Sequence, residues 1–251
     1  MTAIPASGDC KGGTIVNRKI ILSATGIMLL GSAAVLAGEA APQGPMSFFV
    51  TSATPTGTGN LGGLAGADQI CQNLAAAVGA GNKTWHAYLS AQARPNQGAV
   101  NARGRIGQGP WYNQKGLMIA SNVADLHGDN QRDRNGLRQA SVLDEKGNMV
   151  SSMPQQHDVM TGSDSGGRAF TDGLDHTCNN WTSDQMTIPL PPNSDAGVPP
   201  ERARAMLGHS DRGLQGAGNT SWNAAHMSQG CTKQALINTG GSGRLYCFAI
   251  N

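Results

Sequence analysis

Hydrophobic positions recur along the chain with two periods. Met46 to Ser52 (MSFFVTS) is a short β-rich run, and Thr84 to Leu89 (TWHAYL) reads as a second strand. Between them lies a glycine-heavy loop, Pro55 to Gly66, and then a predicted helix. Asp68 sits in its first turn, Ile70, Leu74 and Val78 follow one another at four-residue steps, and Gly79 stands where a left-handed C-terminal cap is expected. Cys71 and Ala75 lie beside that stripe, so the cysteine is expected to face the core. A short helix over Ala99 to Ile106, a strand over Leu117 to Ala120 and a hairpin over Ala140 to Val150, turning at Glu145-Lys146-Gly147-Asn148, complete the first half. Leu245 to Ile250 (LYCFAI) reads as a closing strand.

From Thr161 to Gly243 the periodicity nearly vanishes. The segment is built of Gly, Asn, Asp, Ser and Thr around Trp181 and Trp222, and such stretches inside a domain are commonly functional. Ile188 to Pro200 holds five of the chain's 12 prolines and is expected to form a stiff exposed insertion. Glycine is abundant (35 of 251 residues) without a three-residue period, which excludes collagen and assigns the glycine to loops.

Ile20 to Ala37 is an uncharged apolar stretch preceded by Arg18 and Lys19 and followed by Gly38 and Ala40. Residues 1–40 therefore read as a secretory signal, with an uncleaved N-terminal anchor as the competing expectation. Either way the bulk of the chain is expected to be exported: periplasmic, at the cell surface or secreted. Without this segment 15 basic residues face 14 acidic ones. A near-neutral chain lacks the electrostatic footprint of a nucleic-acid binder. Beyond Cys10 four cysteines remain, Cys71, Cys178, Cys231 and Cys247, an even number that suggests two disulfides with three connectivities open.

Three blocks, taken together, resemble the endostatin-type branch of the C-type-lectin-like fold. They are MSFFVTS with Leu61 to Ala91; His157 to Asp184, of the form GSDxxGR, then Cys, then Trp; and GRLYCFAIN, Gly243 to Asn251. They occur in that family's order. The resemblance implies an α+β domain over 46–251 with short strands, one or two helices and a long irregular loop region. It implies a nested pairing of Cys71 with Cys247 and of Cys178 with Cys231. It also implies a non-catalytic lectin-like or adhesin-like binding module whose partner is a glycan or a glycosylated surface component. The family's zinc-binding histidines have no counterpart in Ala41 to Ser47, and the EPN-like, QPD-like and WND motifs of calcium-dependent lectins do not occur in that form. No cofactor is required on this reading, and calcium is the one ion it leaves room for.

The ligand site is expected at Trp222, Asn223 and His226, with Asn180 and Asp184: aromatic faces stack on sugar rings and amides hydrogen-bond hydroxyls. Trp181 is expected to be core, and each of these tryptophans, close to a cysteine, is expected to cover a disulfide. Four histidines have an aspartate within two positions: His127 with Asp129, His157 with Asp158, His176 with Asp175, and His209 with Asp211. Gathered by the fold, they would form a metal site or an acid/base pair, and a metal-dependent hydrolase is the alternative function. No HExxH-like spacing supports it, and the context favours exposed turn residues with local hydrogen bonds. The serines of Gly162-Ser163-Asp164-Ser165-Gly166 lack the strand and helix that a nucleophile elbow needs. A structural envelope protein docking onto a partner subunit is the third expectation. Arg94, Arg103 and Arg105, and Arg132, Arg134 and Arg138, form two groups suited to anions, the second diluted by Asp129 and Asp133.

Overall fold

The computed structural model describes residues 43–128, 135–150, 154, 156–187, 201–211 and 221–251. The signal or anchor over 1–40, the proline-rich insertion, Arg132 and Arg134 lie outside the described residues.

The closing strand organises the domain. β8 (Gly241–Ala249) is longer than its sequence signal, and its last half is flanked on both sides. On one side β1 (Phe48–Val50) pairs antiparallel, in the register Phe48 to Phe248 and Val50 to Tyr246. On the other β2 (Trp85–Ala87) does the same, Trp85 to Ala249 and Ala87 to Cys247. The first half of β8 runs parallel to β5 (Asp158–Met160). The sheet continues through β6 (Met206–His209) to β7 (His226–Met227), both pairings antiparallel. A separate ribbon joins β3 (Trp111–Tyr112) and β4 (Met118–Ala120).

Because side chains alternate across a strand, β8 feeds two cores. Leu245, Cys247 and Ala249 join Phe49, Trp85 and Met160 on one face, while Tyr246 and Phe248 join Phe48, Val50 and Val159 on the other. Helix α1 (Gly63–Ala77) covers the first face. Its buried line is Ala67, Cys71 and Ala75, with Ile70 and Leu74 only partly covered and Val78 exposed. The predicted stripe is thus rotated toward the small residues, which let the helix approach the sheet closely enough for Cys71 to reach Cys247. The helix ends as expected: Gly79 has φ +83°, its N–H donates to the Ala76 carbonyl, and the Ala80 N–H donates to that of Ala75.

Two disulfides close the domain, Cys71–Cys247 (Cα–Cα 5.6 Å) and Cys178–Cys231 (5.7 Å). The second bears on an unusual segment. Cys178, Asn179, Asn180 and Trp181 all have positive φ (48°, 55°, 54° and 67°), one turn of left-handed helix. That conformation costs about 1–2 kcal/mol for each ordinary L-residue and less for asparagine. Neighbours hold it in place. The buried Asp175 carboxylate accepts the N–H groups of Thr177, Asn179 and Arg204, and the Trp181 indole donates to the Ser90 carbonyl at 2.7 Å.

The stretch 161–243 is more regular than its sequence suggests, carrying β6, β7 and the short helix Lys233–Ile237. The expected helix near Ala99 is one 3-10 turn, Ala102–Gly104, preceding a further short helix, α2 (Val123–His127). No helix among the described residues is long and apolar enough to cross a membrane.

Candidate metal centre

Of the predicted recognition residues, Trp222 and Asn223 face inward. Trp222 is 3% exposed and packs on Tyr88, His127 and Tyr246 in the second core. It offers no face to a sugar and covers no disulfide, whereas Trp181 shares the first core with Cys178 and Cys231 as expected. The buried Asn223 amide donates to the Tyr88 hydroxyl at 2.9 Å and to the Asp164 and Ser165 carbonyls, and its oxygen accepts from Ser221. Asn180 is spent on Gln92 and Thr177. Asp184 is exposed and accepts from Gln185 beside it. The shared reason is that loops rich in Asn and Ser need their own amides and hydroxyls to satisfy backbone and neighbouring polar groups. Ser163, one of the two serines of Gly162–Gly166, is likewise buried, against the Ser90 hydroxyl at 2.8 Å.

His226 has a different role. It stands on β7, His209 ends β6, Asp158 begins β5 and His157 precedes it. Asp158 faces His209 across the β5–β6 pair, and His226 faces Leu207 across the next pair, so Asp158, His209 and His226 share one sheet face. His157 joins them where the β5–β8 register shifts between Asp158 and Val159. Gly240 (φ +99°) makes room for the His157 ring: a Cβ there would stand 3.1 Å from Nε2.

Three imidazoles converge on one carboxylate oxygen. Asp158 Oδ1 is 3.2 Å from His157 Nε2, 3.1 Å from His209 Nε2 and 3.5 Å from His226 Nε2. His209 Nε2 and His226 Nε2 are 2.9 Å apart. The donor atoms of His157, Asp158 and His209 lie within 4.8 Å of one another. Tetrahedral coordination with bonds of about 2.0–2.1 Å puts neighbouring donors about 3.3 Å apart, close to what the Asp158 distances show. The Asp158 side chain is fully buried, and although the imidazoles stand at ion-pair distance, neither of its oxygens has an aligned hydrogen bond among the described residues. A buried carboxylate without such a partner is costly unless a cation answers it.

A carboxylate and a carbonyl sit behind two of the rings. His157 Nδ1 is 3.1 Å from Asp211 Oδ2, and His226 Nδ1 is 3.2 Å from the Met227 carbonyl oxygen. Groups of this kind fix the tautomer that leaves Nε2 free to ligate. In the metal-free protein, charge is redistributed among the same groups. The Asp158 carboxylate, helped by Asp211, pushes His157 up to about 10, and Asp158 also raises His226. Burial alone would raise Asp158, but the imidazoles hold it below the usual carboxylate range.

The other histidines lie elsewhere. His127 takes the Tyr88 hydroxyl on Nε2 at 2.8 Å and gives Nδ1–H to the Val123 carbonyl. His176 pairs with Asp172 rather than Asp175. The expectation of exposed turn residues is therefore corrected at His157 and His209, which lie with Asp158 in a nearly closed site, and at Asp211, which serves His157 rather than His209. No protein-family model matches the chain, and no curated protein matches it in sequence.

Proposed function

We propose that this protein is an exported, non-catalytic binding module whose bound species at this site is a divalent transition-metal ion. One observation carries the reading: a buried carboxylate without an aligned hydrogen bond, faced by three imidazole Nε2 atoms. Imidazole-rich N/O sets suit zinc, copper or nickel, whereas calcium takes six to eight oxygens, so calcium is not the ion for this site. The donors that all lie within 4.8 Å of one another are those of His157, Asp158 and His209, with His226 beside Asp158 and His209. The two disulfides indicate an oxidising environment. Their nested pairing, one of three connectivities, supports assignment to the C-type-lectin-like class.

The test is zinc titration of the chelator-treated protein by calorimetry, with metal analysis of the dialysed product. About one equivalent is expected for the wild type. Failure to retain stoichiometric metal, or Asp158→Asn binding as the wild type does, overturns the proposal.

A further inference from the structure

Strand β7 places two ligand-type residues side by side, His226 and Met227, and strand alternation sends them to opposite faces of the sheet. His226 joins the three-histidine cluster. Met227 meets a second histidine: its Sδ lies 3.1 Å from His176 Nδ1.

The His176 ring is fixed. Its Nε2 is 2.9 and 3.0 Å from the two Asp172 carboxylate oxygens, and its plane stacks on Phe170 at 3.9 Å between centroids and 18° between planes. A carboxylate only accepts, so it claims Nε2–H, and a neutral imidazole then carries its lone pair on Nδ1. A thioether sulfur is also an acceptor. In that tautomer two lone-pair carriers face each other at 3.1 Å, beside a histidine side chain that is only 8% exposed. Either a proton or a soft cation must lie between them.

A third candidate ligand follows from the register. Met206 is the direct cross-strand partner of Met227. Its N–H also donates to the His176 carbonyl at 2.8 Å, next to the bridge between Thr177 and Ala205. His176, Met206 and Met227 therefore form one row across three adjacent segments on the same face, with flexible thioethers at two of the three positions. Asp172 stands behind the imidazole as carboxylates stand behind metal-bound histidines. Thioethers are poor ligands for zinc and good ones for copper(I).

We propose that His176 Nδ1, Met206 Sδ and Met227 Sδ form a binding site for copper(I), separate from the His157/Asp158/His209/His226 centre and independent of it. The two sites would sort ions by softness across a single edge strand.

The experiment is competition for copper(I) between the full chain, disulfides intact, and bicinchoninate under ascorbate. Wild type, Met227→Leu, Met206→Leu and His209→Ala are compared, with methyl-labelled methionine spectra recorded in parallel. Met→Leu swaps conserve volume, and near-ultraviolet circular dichroism confirms that each variant is folded. The wild type is expected to withdraw one equivalent, with the Met206 and Met227 methyl signals shifting together. Each Met→Leu variant is expected to bind at least tenfold more weakly while its zinc titration is unchanged, and His209→Ala is expected to keep its copper(I) affinity. No withdrawal by the wild type would mean that the 3.1 Å contact is an N–H···S hydrogen bond, and the proposal fails. It fails equally if Met227→Leu binds as the wild type does, or if uptake disappears in His209→Ala but persists in Met227→Leu. Loss of zinc binding alone would overturn the first centre and leave this one standing.

Discussion

Asp158 holds a demanding position, since its carboxylate is buried and its neighbours can each be a base or a cation. Asp158→Asn keeps the shape and removes the charge, and zinc affinity is expected to fall by at least a hundredfold in calorimetric titration. Asp211→Asn, one step farther out, is expected to cost tenfold to a hundredfold through the freed His157 ring. Little of this was legible in the sequence. The pairs His157–Asp158 and His209–Asp211 were visible, but ligands drawn from three strands have no fixed spacing, and the strands that align them are only two to four residues long. The amide-rich positions misled for a related reason. Asn223 looks like a ligand-binding amide, yet it satisfies the buried Tyr88 hydroxyl. Asn223→Ala is expected to destabilise the fold by about 1–3 kcal/mol in urea unfolding, the cost of leaving a buried polar group unpaired. His127 completes that network, and burial pushes it down to about 4. The unfolded chain, with a value near 6.5, takes up the proton first as pH falls. The stability owed to the neutral ring is therefore full above pH 6.5 and drains away between 6.5 and 4. Set against His127→Gln, the wild type is expected to lose on the order of 2 kcal/mol more across that window, after discounting for the ring's partial exposure.

At the scale of elements, the sequence is most readable where apolar residues are continuous. The strands at Phe48 and Leu245 and the helix end at Gly79 emerge in place, because burial on a fixed period leaves a pattern in one dimension, while the helix itself begins at Gly63, a turn before the expected start at Asp68. The helix face was misjudged because the closest approach to the sheet is made by alanines and a cysteine, which weigh less in a hydrophobic stripe than Ile70 or Leu74. The left-handed turn had only a weak signal, its two asparagines: its outer residues are a disulfide cysteine and a core indole, held at positive φ by their neighbours. Removing Cys178–Cys231 as a Cys→Ser pair is expected to cost about 2–5 kcal/mol and to release this turn first. Hydrogen exchange would show it as lost protection at the Thr182 and Ser183 amides, both of which donate to the Cys178 carbonyl, with the β1–β8 ladder unchanged.

For the whole molecule, the two kinds of crosslink bear on different parts of the sheet. Cys71–Cys247 fastens α1 to the half of β8 that β1 and β2 flank, where hydrophobic burial is already densest. The proposed ligand set instead spans β5, β6 and β7, whose outermost member has only two residues. An ion there would tie β7, the two-residue edge strand, to β5 and β6. It binds the folded state only, so an ion at a hundred times its dissociation constant should stabilise the protein by about 2.7 kcal/mol. For a domain of this size that is a rise in Tm of about 5–10 °C. Saturating zinc is expected to produce this shift in the wild type, chelator to reverse it, and His209→Ala to abolish it without changing the metal-free Tm by a comparable amount. A shift that survives in His209→Ala would place the stabilising ion elsewhere. Hydrogen exchange measured with and without zinc should confine the added protection to β5, β6 and β7, since β1, β2 and the second half of β8 are already held by the disulfide and the two cores.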